Sequence, residues 1–130
     1  MQINTVGVLG CGLMGSGIAQ VCAAAGYSTI VREVDDASLQ KGLGRIKRFV
    51  DEGVAKGKVT VEARDRTMGH LAGTTTFEGL KDCDLVIEAI VENLTEKRQA
   101  YEALEKVIGA DALIASNTSS LCITELAAAT

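Results

Sequence analysis

Apolar positions along the chain fall into two alternating rhythms: short β-rich runs, and longer stretches in which they recur at helical spacing. The first run, Thr5–Leu9, ends in glycines and predicts a buried strand. Met14, Ile18, Val21, Cys22 and Ala25 follow at intervals that place them on one helix face, and Gly26 supplies the stop. A second β-rich run, Ser28–Val31, closes at Arg32 and Glu33. From about Ala37 to Thr67 the chain is charged and mixed. Leu39, Leu43, Ile46, Phe49 and Val50 keep helical spacing there, and a break near Gly57 predicts two helices.

Beyond this region, Thr74–Phe77 predicts a short strand and Asp84–Ile90 a second, more strongly apolar one. Asn93 with Glu96 has the spacing of a capping box, opening a helix whose apolar face is Ala100, Leu104, Val107 and Ile108. Ala112–Ala115 predicts a last strand, followed by the polar run Ser116–Ser120. Strands alternating with helices predict an α/β fold with a mainly parallel sheet, doubly wound so that helices cover both faces. No repeat, linker or low-complexity segment divides residues 1–130, so a single domain is expected.

Composition narrows the classes. With 130 residues, 47% of them hydrophobic and 23% charged, the chain can bury roughly two-thirds of its unfolded surface, as a globular domain does. Its 13 basic against 17 acidic residues and the lack of a basic stripe argue against nucleic acid as a partner. The longest apolar runs fall far short of the roughly 20 residues a membrane span needs, and no basic leader precedes the first strand. Cys11, Cys22, Cys83 and Cys122 are scattered, with no CxxC pair, so neither a metal site nor a thioredoxin-type motif is expected and a reducing, cytoplasmic setting fits best. Ile123–Thr130 reads as a helix just begun, which makes the chain look like a fragment.

Candidate chemistry begins at Gly10-Cys11-Gly12-Leu13-Met14-Gly15, a G-x-G-x-x-G match. Among 14 glycines the match alone means little; its position between the first strand and the first helix gives it weight. There Gly10 permits a tight turn, Gly12 lets backbone approach a pyrophosphate, and Gly15 allows close helix–strand packing. The amides of Leu13, Met14 and Gly15 and the positive end of the helix macrodipole would face phosphates. Glu33, at the end of the second strand and about twenty residues after the motif, supplies a carboxylate for the adenosine ribose hydroxyls. It would repel a 2′-phosphate, favouring NAD over NADP, while side-chain alternation sends Arg32 to the other face. These features make the fold Rossmann-type. FAD remains open on the glycines alone, because flavoproteins use the same fingerprint, and so does a turn that only connects strand to helix.

With Val8–Gln20, Asp84–Asn93 and Ala115–Leu121 followed by Ile123-Thr124-Glu125, the sequence resembles the 3-hydroxyacyl-CoA dehydrogenase family, and the bacterial 3-hydroxybutyryl-CoA dehydrogenases most closely. The resemblance covers nearly the whole chain. It implies reversible oxidation of an (S)-3-hydroxyacyl-CoA to the 3-ketoacyl-CoA, with hydride passing to NAD. It makes Ser119 the residue that hydrogen-bonds the substrate's 3-oxygen near the nicotinamide, Glu92 and Lys97 cofactor contacts, and Lys56 a contact to the CoA moiety. Read without the resemblance, Ser119 is a polar turn residue, Glu92, Lys97 and Lys56 are surface charges, Asn93 is a helix cap, and His70, the single histidine, is structural.

The family's general-base histidine, the glutamate that orients it and a further asparagine all match positions beyond Thr130, as does the helical domain that closes the acyl-CoA cleft and makes the dimer contact. The expectation is therefore an NAD-binding domain that does not turn over substrate by itself. Two rivals stand beside it: a dehydrogenase of another 3-hydroxy acid, and a non-catalytic NAD-binding or structural module on the same fold.

Overall fold

The computed structural model describes residues 3–90 and 94–116. In chain order the elements are β1 (Thr5–Leu9), α1 (Leu13–Ala24), β2 (Ser28–Arg32), α2 (Asp36–Ala55), α3 (Val61–Gly69), β3 (Leu71–Thr74), a 3-10 turn at Glu78–Leu80, β4 (Leu85–Glu88), α4 (Leu94–Glu105) and β5 (Leu113–Ser116). The five strands pair in parallel in the order β3-β2-β1-β4-β5. The chain moves outward from β1 through β2 to β3 and then crosses to β4, so the direction of winding reverses between β1 and β4. A crevice at the carboxyl ends of the strands opens at that reversal.

Alternation along the strands gives the sheet two apolar faces. Val6, Val8 and Val31 face one way and pack with Ala19 of α1 and with Leu39, Ile46 and Val50 of α2. Leu9 and Val86 face the other way, against Leu80 and Cys83 and against Ala100 and Leu104 of α4. Burial pushes the Cys83 thiol up to about 11, aided by the nearby Asp84 and Asp82 carboxylates, so the thiol stays protonated as a core residue.

Helix ends follow their sequence signals. The Asp35 carboxylate accepts from the Ser38 amide to open α2, and the Thr60 hydroxyl accepts from the Ala63 amide to open α3. At the end of α1 the Tyr27 amide reaches back to the Cys22 carbonyl and Gly26 to Ala23, a closure that needs the left-handed backbone Gly26 adopts at φ +99°.

Five expectations need correcting. The buried stripe of α1 is Gly15, Ser16, Ala19 and Ala23, rotated from the predicted face of Met14, Ile18, Val21, Cys22 and Ala25. Ile18 and Cys22 are half-buried, while Met14, Val21 and Ala25 are exposed. The helix is apolar all round, and the sheet selects its small residues because they allow the closest approach. Phe49 of α2 is likewise exposed, although its predicted companions Leu39, Ile46 and Val50 are buried. The third strand is Leu71–Thr74 and not Thr74–Phe77. Thr74 ends it by accepting the Thr76 amide on its own hydroxyl, which turns the chain. The fourth strand stops at Glu88, two residues early, and the fifth is shifted one residue along, to Leu113–Ser116.

Asp84 ties the entry of β4 to that of β1: its carboxylate accepts the Asn4 and Thr5 amides at 2.9 and 3.0 Å, which hold its pKa below the usual carboxylate value. A depressed pKa contributes stability above the unfolded-state value and loses it as pH falls through the folded one, so the contribution should fade below about pH 5. Denaturation curves taken from pH 7 to 3 should show a shallower decline for Asp84→Asn than for the wild type.

Candidate functional site

The crevice has a volume of about 350 Å³ and is lined by the glycine turn (Gly10, Gly12), the end of β2 and its exit (Arg32, Glu33, Val34), Phe77, the exit of β4 (Ala89, Ile90) and α4 (Gln99, Ala100). Three features of sequence shape the turn. Gly10 sits at φ +95°, where a side chain would be strained, and a Cβ there would press on the Ala89 carbonyl. A Cβ at Gly15 would collide with the Gly10 carbonyl, so α1 can start this close to β1 only with glycine at that position. Gly12 has open space where a side chain would be, and it begins α1 with no side-chain cap. Gly12 thus brings no side chain of its own to cap α1, which suits this helix terminus to an anion.

Glu33 is brought to this turn and fixed there. One carboxylate oxygen accepts the Cys11 amide at 2.9 Å and the other accepts its neighbour Val34 at 3.0 Å. A carboxylate has lone pairs beyond those two bonds, so it can still accept from sugar hydroxyls. Arg32 also stays at the crevice, contrary to the simple alternation argument. Its guanidinium lies 3.9 Å over the Phe77 ring centre and its Nε donates to the Thr75 carbonyl at 3.2 Å, forming a flat wall beside Glu33. Phe77, predicted as the end of a strand, belongs instead to this wall.

Lys97 does not point into the crevice. It is 1% exposed, and its ammonium lies 3.7 Å from the carboxylate of Glu88, which is fully buried and also accepts the Ile90 amide at 2.6 Å. This buried pair joins the first turn of α4 to the last residue of β4, directly behind the Ala89–Ile90 wall. Sequence reasoning read Glu88 only as a strand residue; its position where an apolar strand runs into a glycine-turn crevice was the available signal.

Lys56 is exposed at the far end of α2, roughly 30 Å along the helix from its start beside the crevice, and the fold does not bring it to the other residues. His70 caps α3 at the amino edge of the sheet, its Nδ1 2.8 Å from the Arg66 carbonyl and its own carbonyl accepting Thr29. Glu92, Asn93 and Ser119 lie outside the described residues. Cys11, Cys22 and Cys83 are free thiols, and burial raises Cys11 above its ordinary pKa.

A parallel sheet with its winding reversed at a glycine turn, an uncapped helix start and a carboxylate fixed beside it together define a dinucleotide-binding α/β domain. Residues 5–130 match the family described as "3-hydroxyacyl-CoA dehydrogenase, NAD binding domain", and the chain belongs to that family. The 3-hydroxybutyryl-CoA dehydrogenase of Mycobacterium tuberculosis is 46% identical over 129 residues, covering 98% of this chain and 45% of that protein. The crystal structure of M. tuberculosis FadB2 superposes with a TM-score of 0.96 at 45% identity over all of this chain and 46% of that one. For the (S)-3-hydroxybutyryl-CoA dehydrogenase PaaH1 from Ralstonia eutropha the TM-score is 0.94 at 39% identity, over 99% and 46%. The chain thus spans less than half the length of these relatives. The cofactor the family binds, NAD, fits what the residues offer: open space before Gly12, a helix start with no side-chain cap and a fixed carboxylate with acceptor capacity to spare.

Proposed function

We propose that residues 1–130 form the NAD-binding domain of a dehydrogenase that interconverts (S)-3-hydroxyacyl-CoA, 3-hydroxybutyryl-CoA in particular, and the 3-ketoacyl-CoA. The observation that carries this reading is the bond between the Glu33 carboxylate and the Cys11 amide at the rim of the glycine turn, which supports Glu33 as the acceptor for the ribose hydroxyls. The turn formed by Gly10, Gly12, Leu13, Met14 and Gly15 would hold the diphosphate through backbone amides and the α1 dipole. When bound, NAD supplies the hydride acceptor. Glu92 would contribute a cofactor contact from the β4–α4 connection, and Lys97, in the first turn of α4, would contribute its charge from behind the Ile90 wall, where it pairs with Glu88. Ser119 would hydrogen-bond the substrate's 3-oxygen, and Lys56 would offer a point charge to the CoA phosphates.

Arg32 is engaged with Phe77 and Thr75, so its charge does not by itself make a 2′-phosphate site. Calorimetric titration should therefore show NAD binding more tightly than NADP, and Glu33→Gln should weaken NAD about tenfold or more while narrowing the difference. Tighter binding of NADP by the wild type would contradict the reading.

The chain's single histidine, His70, sits at the amino edge of the sheet, away from the crevice at the carboxyl edge, and cannot take a proton from a substrate held there. A general base would come from the part of the relatives that this chain does not span. A polypeptide limited to Met1–Thr130 is accordingly expected to bind NAD without turnover; mixed with acetoacetyl-CoA and NADH, it should leave NADH absorbance unchanged. The same reading carries a set of partners and a setting with it: an acyl-CoA substrate, a homodimer formed through the remaining domain, no nucleic acid or membrane, and a cytoplasmic location. Among the described residues no helix is long and apolar enough to cross a membrane.

A further inference from the structure

The glycine turn is held from inside the protein by a residue of another element. Arg45, half-buried on α2, donates through Nη1 to the Cys11 carbonyl at 3.1 Å and to the Ser16 hydroxyl at 3.3 Å. Ser16, 4% exposed, turns its own hydroxyl onto the same carbonyl at 3.1 Å. One carbonyl of the turn therefore receives two donors, one of them charged, and charged donors make the stronger bonds. The contact is close by construction. Gly42 lies one helical turn before Arg45, and a Cβ there would collide with the Sγ, Cβ and carbonyl oxygen of Cys11.

The consequence passes through a peptide plane. Among the described residues there is no cis peptide bond, so the C=O of Cys11 and the N–H of Gly12 point in opposite directions. Fixing that carbonyl toward Arg45 fixes the Gly12 amide away from α2, at a residue that lines the crevice and has open space in front of it. The Cys11 amide on the other side of the same residue is already engaged by Glu33. Cys11 is thus anchored at both ends: its N–H by the residue that faces the sugar, and its C=O by Arg45.

We propose that Arg45 is a positioning residue for the diphosphate subsite: from behind the turn it aims the Gly12 amide into the crevice and adds a fixed positive charge there, touching no ligand itself. The inference rests on the dinucleotide reading of the crevice. It sets Arg45 apart from the many arginines that only decorate a helix, because its hydrogen bonds end on the backbone of the turn.

The test compares Arg45→Met, Arg45→Lys and wild type in the full-length protein, with NAD, ADP-ribose and adenosine as probes and thermal melting alongside. Arg45→Met should weaken NAD and ADP-ribose by about tenfold, the loss of one charged hydrogen bond, and leave adenosine, which has no diphosphate, within twofold by NMR titration. Arg45→Lys keeps the charge with a single-point donor and should recover part of the loss. If Arg45→Met fails to fold, Ser16→Ala, which removes one donor to the same carbonyl, should weaken NAD about threefold with adenosine unchanged. Unaltered NAD affinity in a folded Arg45→Met or Ser16→Ala protein, or an equal loss for NAD and adenosine, would overturn the role of Arg45 alone. Wild-type protein that binds adenosine but neither NAD nor ADP-ribose would overturn the reading of the crevice, and this inference with it.

Discussion

Alanine at position 15 should abolish measurable NAD binding and destabilise the domain by about 1–3 kcal/mol or more. The added Cβ would lie on the Gly10 carbonyl oxygen, an atom of the turn itself and not the movable end of a side chain. Relief requires α1 to move away from β1. That movement would disturb the amides that begin the helix, the core contact of Ala19 and, through Gly10, the close approach of the turn to Ala89. Equilibrium denaturation and calorimetric titration with NAD measure the two effects separately. A Gly15→Ala protein with wild-type affinity would show that the close approach of helix and turn is unimportant to the site.

A comparable loss of stability, without any steric clash, is expected from the buried pair behind the crevice wall. Glu88→Ala removes the carboxylate from an ammonium that is almost wholly out of water, and breaking a buried pair from one side typically costs about 3–5 kcal/mol. The Ile90 amide also loses its acceptor, which loosens the segment lining the crevice. Replacing both partners, Glu88→Leu with Lys97→Met, leaves no uncompensated charge and should recover most of the stability seen in denaturant. NAD affinity should not recover in the double variant if Lys97 contributes its charge to the cofactor. Recovery of both together would assign the pair a purely structural role.

The parts of the fold carried by local signals were legible in the sequence. Thr5–Leu9 appears as written because a short β-rich run ending in glycine has few alternatives. The pair of helices broken near Gly57 and the distance from the glycine motif to Glu33 are likewise properties of neighbouring residues. What escaped depends on residues far apart. The orientation of α1 is set by which residues let it approach the sheet, a choice that periodicity cannot make in a helix apolar on every side. The third strand was misplaced because Leu71–Thr74, with Ala72 and Gly73 at its centre, is weakly β-forming by itself and becomes a strand by pairing with β2.

The site divides in the same way. Gly10, Gly12, Gly15 and Glu33, which line or shape the crevice, stand out in the sequence by a motif of fixed spacing. Arg45, Phe77 and Glu88 do not, since each acts through a partner 9 to 45 residues away along the chain that no local pattern points to. Lys97 was assigned by resemblance to the cofactor, and the structure adds that its charge is held by Glu88.

A crystal structure of the protein grown with NAD tests the central claim most directly. The diphosphate should lie against the backbone amides that begin α1, with the adenosine ribose hydroxyls within hydrogen-bonding distance of the Glu33 carboxylate. A dinucleotide bound elsewhere, or a crevice that stays empty at saturating NAD, would contradict it.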